Sequence, residues 1–166
     1  MVRDLRKRDV ARSGPDVANV GFMRPPLVYL LSILLGLFLH AALPVPIVPP
    51  ALGAPVGAVV VLLSVVLFIA AVRTFRRAGT PVPGNQPTTT IVRDGPYRFT
   101  RNPIYLAFSL LQLGVALLVN ALSLLLTLVA AVALMSFVVI PREERYLQRR
   151  FPAEYRSYAE SVRRWL

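Results

Sequence analysis

Four apolar stretches without a single Lys, Arg, Asp or Glu constrain this chain more than anything else in it. They run over about residues 27–43, 51–72, 104–119 and 121–140. Each is near the roughly 20 residues that a helix needs to cross about 30 Å of hydrocarbon. The third is short and demands little tilt or a local thinning of the bilayer. Lipid offers no partner to an unpaired backbone group, and strand-like alternation is absent, so the stretches read as helices. The hydrophobic fraction is 55% of 166 residues. A soluble domain of this size cannot cover that much apolar surface, whereas lipid can. The expected fold is all-α: a polytopic membrane protein with four transmembrane helices, a C-terminal helical hairpin and a cytoplasmic amphipathic tail helix.

The connections set the topology. The first two spans are joined by the uncharged, proline-rich Pro44–Pro50, and the last two meet at Asn120, which reads as a hairpin turn. All 19 Lys and Arg residues therefore fall in residues 1–24, in the loop 73–103 and in the tail 141–166. With four spans these regions share one side, and the positive-inside rule makes that side the cytoplasm, with both termini there. The expectation is an integral protein of a bacterial cytoplasmic membrane. The net charge of +11 is then topology plus attraction to anionic headgroups. No aromatic-interleaved basic patch points to nucleic acid. Residues 1–24 read as a basic cytoplasmic arm, too polar for a signal peptide, and residues 25–166 as one domain. There is no cysteine and only one histidine, His40, so thiolate chemistry and a histidine-based metal site are excluded and no metal is expected.

Function must lie in the two longer polar regions. The loop 73–103 ends in Asp94-Gly95-Pro96, a turn signal, followed by Tyr97, Arg98, Arg101 and Asn102-Pro103, the form of a helix start. A helix N-terminus at a membrane surface suits an anionic group. The tail opens on Pro141, Glu143 and Glu144 and continues with aromatics among arginines, as an interfacial helix does. Because the third and fourth spans form a hairpin, Asn102 and Glu143 become neighbours. Adjacent residues on a helix point about 100° apart, so the two glutamates have different jobs. One can pair with an arginine such as Arg101 and the other can accept from a ligand.

The segment Gly95-Pro96-Tyr97-Arg98-x-x-Arg101-Asn102-Pro103-x-Tyr105 resembles the GPYRxxRHPxY signature of the isoprenylcysteine carboxyl methyltransferases and the related phospholipid methyltransferases. Glu143-Glu144, Phe151, Glu154, Tyr155, Tyr158, Val162 and Arg164 follow in the order of that family's second half. The resemblance covers roughly residues 73–166. It implies a membrane-embedded methyltransferase using S-adenosyl-L-methionine, bound in a cytoplasm-facing pocket, with a hydrophobic or lipid-like acceptor arriving from between the helices. Consistently, no G-x-G-x-x-G is present. By the same resemblance Gly95, Pro96, Tyr97, Arg101, Asn102, Pro103, Tyr105, Glu143 and Glu144 are cofactor contacts, and Arg101, Glu144 and Arg164 are the catalytic residues.

These residue types suit that chemistry. A guanidinium or an open helix N-terminus can hold the donor's carboxylate, and a glutamate its ammonium or ribose hydroxyls. Tyrosines offer faces to adenine or sulfonium. Methyl transfer needs alignment and water exclusion more than acid–base groups. Two departures stand out: Asn102 replaces the family's histidine, removing any titration there near neutral pH, and Ala107 stands where glycine is frequent. His40 sits near the outer end of the first span, away from this region. Ser109, Gln112 and Ser136, polar groups within spans, either line a substrate cavity or bond between helices. Two rivals carry different expectations. A sterol-reductase-type enzyme would use a nicotinamide cofactor and more spans. The other is a non-enzymatic four-helix transporter or scaffold, of which a proton-coupled exporter would place an acidic residue inside a span, where this chain has none.

Overall fold

The computed structural model describes residues 24–80 and 88–166. The helices are α1 (Pro25–Ala42), α2 (Pro50–Arg77), α3 (Pro103–Val119), α4 (Leu122–Leu134), α5 (Ile140–Arg150) and α6 (Pro152–Ser161). A 3₁₀ turn covers Gly95–Arg98, and a π-helical turn, Met135–Val139, joins α4 to α5. Among the described residues there is no strand. Proline opens α1, α2, α3 and α6, where its missing N–H costs nothing and its fixed φ favours the first turn.

Among the described residues three helices are long and apolar enough to cross a membrane: Pro25–Ala42, Pro50–Arg77 and the continuous Leu122–Arg150. The shorter Pro103–Val119 is apolar as well. The basic arm expected over residues 1–24 lies outside the described residues except for Arg24. Two boundaries differ from the sequence reading. Helix α2 continues past residue 72 to Arg77, because an arginine-bearing helix can leave the bilayer without unwinding and its last-turn cations complement the helix dipole. The fourth stretch likewise does not stop at residue 140. Pro141 has no N–H for the Phe137 carbonyl, and the helix absorbs the defect in the π turn, where the Ile140 N–H bonds the Met135 carbonyl five residues back. The helix thereby runs on to Arg150 and carries Glu143 and Glu144 as a rigid extension of the apolar stretch that ends at Ile140.

Small residues set the packing. Gly53 and Gly57, four apart on α2, lie against α3, where a Cβ on Gly57 would sit 2.7 Å from the Leu118 nitrogen and 2.8 Å from the Gly114 carbonyl oxygen. Backbone-to-backbone approach of this kind is how helices associate where lipid removes the hydrophobic drive. Helix α1 packs on α4, with Gly36 against Leu124 and Thr127. Helices α1 and α2 make no extended contact with each other, which leaves a crevice between them floored by α3.

Away from the arginine-rich end, neutral polar groups tie the helices together. Gln112 is fully buried, and its Nε2 donates to Ser32 Oγ at 2.8 Å, to Thr127 Oγ1 at 3.1 Å and to the Leu124 carbonyl at 3.2 Å. Asn120 adopts the left-handed conformation (φ 56°) that closes the α3–α4 hairpin. Its Oδ1 accepts from the Ile47 and Val48 N–H groups and its Nδ2 donates to the Val48 carbonyl. The hairpin expected at this residue is present, and the loop before α2 is pinned to it.

Candidate functional site

Arg101, just ahead of α3, and Glu144, one turn into α5, meet at 3.2 Å across the mouth of the hairpin. They line one cavity of about 290 Å³ with Tyr97, Asn102, Pro103, Tyr105 and Glu143, a volume at the low end of ligand pockets. Helix α6 returns over this mouth and contributes Tyr155 and Tyr158, and residues 88–92 of the loop close another side. The floor is apolar. Ile104, Phe108, Phe68 and Val72 carry the cavity into the crevice beside Pro25 and Pro26 at the start of α1. Its deep end is aromatic: the Phe108 ring lies 5.5 Å from Phe68 and 5.6 Å from Tyr29.

The two glutamates divide their work. Glu144 is fully committed to cations: its Oε1 takes Arg101 Nη1 and, at 3.0 Å, Arg164 Nε, and its Oε2 takes Arg164 Nη2 at 2.6 Å. A bidentate fork of this kind fixes geometry as well as charge, and it holds the Arg164 guanidinium above its ordinary value. Glu143 accepts from the Tyr105 hydroxyl at 2.5 Å through Oε1. Its other oxygen has no partner among the described residues. Burial pushes the Glu143 carboxyl up to about 7, the Tyr105 hydrogen bond pulls against that rise, and the Glu144 charge adds to it.

Arg101 also donates from Nη1 to the Tyr155 hydroxyl at 3.1 Å, while its buried Nε has no partner. Tyr146 lines the cavity with a buried, unpartnered hydroxyl. Tyr97 is held edge-on against Phe75 at 5.0 Å, and its carbonyl accepts from the Tyr158 hydroxyl at 2.8 Å. Burial raises the pKa of Tyr97, Tyr155 and Tyr158, so all three are neutral donors and acceptors.

Several expected residues sit differently from their sequence reading. Asn102 is the residue before α3, but its side chain does not cap the helix. Its Nδ2 donates instead to the Arg164 carbonyl at 2.9 Å, where Thr100 Oγ1 donates too. Gly95 and Pro96 do not line the cavity. Gly95 has φ +56°, and a Cβ there would meet Thr74 Oγ1 at 2.7 Å, so these two residues shape the turn that delivers Tyr97 and Arg101. Arg164 also lies outside the lining and reaches the site through Glu144. Ser109, Gln112 and Ser136 bond between elements, to Tyr29, to α1 and α4, and to Trp165 respectively, and none faces the cavity. His40 is at the opposite end of α1 from Pro25 and Pro26.

No signal in the sequence marks Ile104, Phe108, Tyr146, Thr88 or residues 90–92 as cavity lining. The tail tyrosines Tyr155 and Tyr158 were part of the matched pattern, and their spacing of three puts them on one helix face. Nothing in the loop's sequence distinguishes residues 88–92.

Comparison with known proteins adds one finding. A family model described as phospholipid methyltransferase matches residues 53–154, a span that includes the 3₁₀ turn, Arg101 and both glutamates. No curated protein and no solved structure matches the chain.

Proposed function

The chain belongs to the phospholipid methyltransferase family, which makes it a membrane methyltransferase, and from that premise we propose that S-adenosyl-L-methionine is its methyl donor and a hydrophobic or lipid-like molecule its acceptor. The observation that carries this reading is the single cavity in which the Arg101–Glu144 pair and the free oxygen of Glu143 stand at the mouth of an apolar crevice. A polar, zwitterionic donor and an apolar acceptor have opposite solvation needs, and this cavity meets both.

The residues fit the donor. Arg101 offers an unpartnered buried Nε and Tyr146 an unpartnered hydroxyl, both awaiting an acceptor, since a buried unmade hydrogen bond costs about 1–3 kcal/mol. Glu143 offers an oxygen to an ammonium or to ribose hydroxyls. The tyrosine faces suit an adenine ring or a sulfonium. When bound, the donor supplies a methyl group already activated for displacement. The chain's part is to bind, align and exclude water. Glu144 holds Arg101 in place between Tyr155 and Arg164, so Glu144 and Arg164 act as positioning residues, while Arg101 and Glu143 touch the ligand.

On this reading α1, α2, α3 and the apolar stretch ending at Ile140 all cross the bilayer. Four crossings put both ends of the chain, with the cavity, on the cytoplasmic face, because every Lys and Arg lies at that end or in the polar segments joined to it. The acceptor's apolar part enters through the crevice between α1 and α2 and its nucleophile waits at headgroup level.

The test is incubation of the purified protein with methyl-labelled donor and a membrane lipid extract. Label should appear in an organic-phase product whose structure then names the acceptor. Absence of any labelled lipid, together with no calorimetric binding of S-adenosylhomocysteine, would overturn the proposal.

A further inference from the structure

Residues Val162–Leu166 follow α6 and carry features that methyl transfer does not use. Trp165, the single tryptophan of the chain, donates from Nε1 to Ser136 Oγ at 3.2 Å and packs beside the buried cluster of Tyr29, Tyr105 and Met135. Ser136 lies four residues to the membrane side of Ile140, roughly 6 Å at the helical rise. The chain therefore leaves the tail helix and returns to the depth of the bilayer interface, the level at which tryptophan is favoured.

The exposed side chains of this segment and of the elements it touches include apolar groups and cations, with Asp94 before the 3₁₀ turn and Glu160 near the end of α6 as exposed acids beside them. Phe99 (73% exposed), Leu166 (72%) and Phe137 (80%) are apolar. Arg98 and Arg163 are exposed cations, and neither makes a salt bridge or a side-chain hydrogen bond to a described residue. Exposed apolar groups beside unpaired cations match the chemistry of an anionic lipid surface.

The same segment holds the site together. The Arg163 carbonyl accepts the Arg101 N–H at 2.9 Å, the Arg164 carbonyl accepts from Thr100 and Asn102, and the Arg164 guanidinium grips Glu144. Arg98 lies on the loop side of this seam and Arg163 on the strap side. We propose that Val162–Leu166 is a membrane-surface strap, seated by an anionic lipid headgroup that bridges Arg98 and Arg163, so that acidic lipid strengthens ligand binding in the cavity. A headgroup touching both arginines binds the docked strap better than the undocked one, and that differential affinity is what shifts a two-state equilibrium. By linkage, a ligand in the cavity tightens the strap's hold on acidic lipid by the same factor. The cavity half of this inference rests on the methyl-donor reading. The seating of the strap does not.

The single tryptophan supplies a direct readout. In nanodiscs of phosphatidylcholine containing phosphatidylglycerol, Trp165 emission should shift to shorter wavelength than in phosphatidylcholine alone, with stronger quenching by brominated acyl chains. Affinity for S-adenosylhomocysteine should rise roughly fivefold, the scale of one surface arginine meeting acidic lipid. In the double variant Arg98→Gln/Arg163→Gln both differences should vanish, while affinity in pure phosphatidylcholine stays within about twofold. Identical emission in the two bilayers, or a phosphatidylglycerol effect that survives in the double variant, overturns the strap. If wild type binds no S-adenosylhomocysteine in any bilayer, the donor reading and the coupling fall together, and the emission measurement still decides the seating.

Discussion

The two ends of this helical bundle use polar residues in opposite ways. At the Asn120 end the polar groups are neutral and turned on one another, as Gln112 does with Ser32 and Thr127 and as Asn120 does with Ile47 and Val48. Glycines there let backbones touch. At the Arg101 end the groups are charged and the helices part around a cavity lined by Arg101 and Tyr146, which keep an unpartnered Nε and hydroxyl. The unpartnered Gln112 Oε1 of the other end is packed in and does not line that cavity. Polar groups in the closed end make one packing arrangement preferable to others. In the open end, on the proposed reading, they are there to meet a ligand. The contrast can be broken by mutation: changes in the open end should alter binding and leave the fold, and changes in the closed end should do the reverse.

The largest effect is expected at the ion cluster. Glu144→Ala strips Arg101 and Arg164 of their shared partner, and Arg101→Ala removes the donor itself. A hydrogen bond to a charged group contributes about 1.5–3 kcal/mol, so affinity for S-adenosylhomocysteine should fall by about tenfold or more in each. The proteins should keep their helical circular dichroism. Unchanged calorimetric affinity in both would remove the cluster from the site.

Next in size is the glycine seam. A Cβ at Gly57 meets the backbone of α3 inside 3 Å, and backbone cannot step aside as a side chain would. Gly57→Leu should lower the melting temperature in detergent strongly, since overpacking costs about 1–3 kcal/mol or more. The fraction that remains folded should bind S-adenosylhomocysteine with wild-type affinity. A loss of affinity without a loss of stability would mean that the two ends are not separable.

How much of this contrast could be read beforehand follows from what sequence encodes locally. The apolar stretches, the hairpin at Asn120 and the meeting of Arg101 with Glu144 all follow from helix rise and span length, which are properties of single elements. That the two glutamates differ was legible from the 100° between neighbours. Which one keeps an oxygen without a partner was not, because the answer depends on Arg164 arriving from twenty residues further on. The seam of Gly53, Gly57 and Gly114 depends on which faces of α2 and α3 meet, and hydropathy with no charge to break it is the same on every face. The π turn was invisible for a related reason. Pro141 announces a defect in the helix, but whether the chain kinks, breaks or widens there is settled by its neighbours. Asn102 shows the limit of motif chemistry: its place before α3 was clear, whereas its bond to the Arg164 carbonyl belongs to the tertiary structure.

A subtler test of the open end is pH. The Glu143 carboxyl titrates at about 7 in the folded protein against 4.5 for the free group, chiefly through burial. Only the ionised form can hold an ammonium, so affinity for S-adenosylhomocysteine should climb as pH rises from about 6 to 8 and then level off. Glu143→Gln should bind more weakly and show no such climb. Stability of the empty protein should move the other way. Because the folded pKa is raised, the native state holds its proton more tightly than the unfolded chain does. This group's destabilising effect is therefore absent below pH 4.5, grows as pH rises toward 7 and is complete above it. Parallel rather than opposed trends in affinity and stability between pH 5 and 8 would mean that Glu143 does not meet the ligand.

The smallest effect should come from the centre of the closed end. Gln112 shares the two hydrogens of Nε2 among three acceptors but leaves its buried Oε1 without a partner. Gln112→Leu gives up those bonds and removes the unpaired oxygen at the same time, and hydrogen bonds between membrane helices average only about 0.6 kcal/mol. The hydroxyls of Ser32 and Thr127 stay satisfied, because each also donates to a backbone carbonyl, that of Thr127 and that of Leu124 respectively. The net change should stay within about 1 kcal/mol, a shift of a few degrees at most in a thermal melt, with no change in ligand affinity. A marked drop in affinity would show that the polar knot beneath the cavity sets the positions of α1 and α3 at its mouth, and the division between a closed end that packs and an open end that binds would have to be given up.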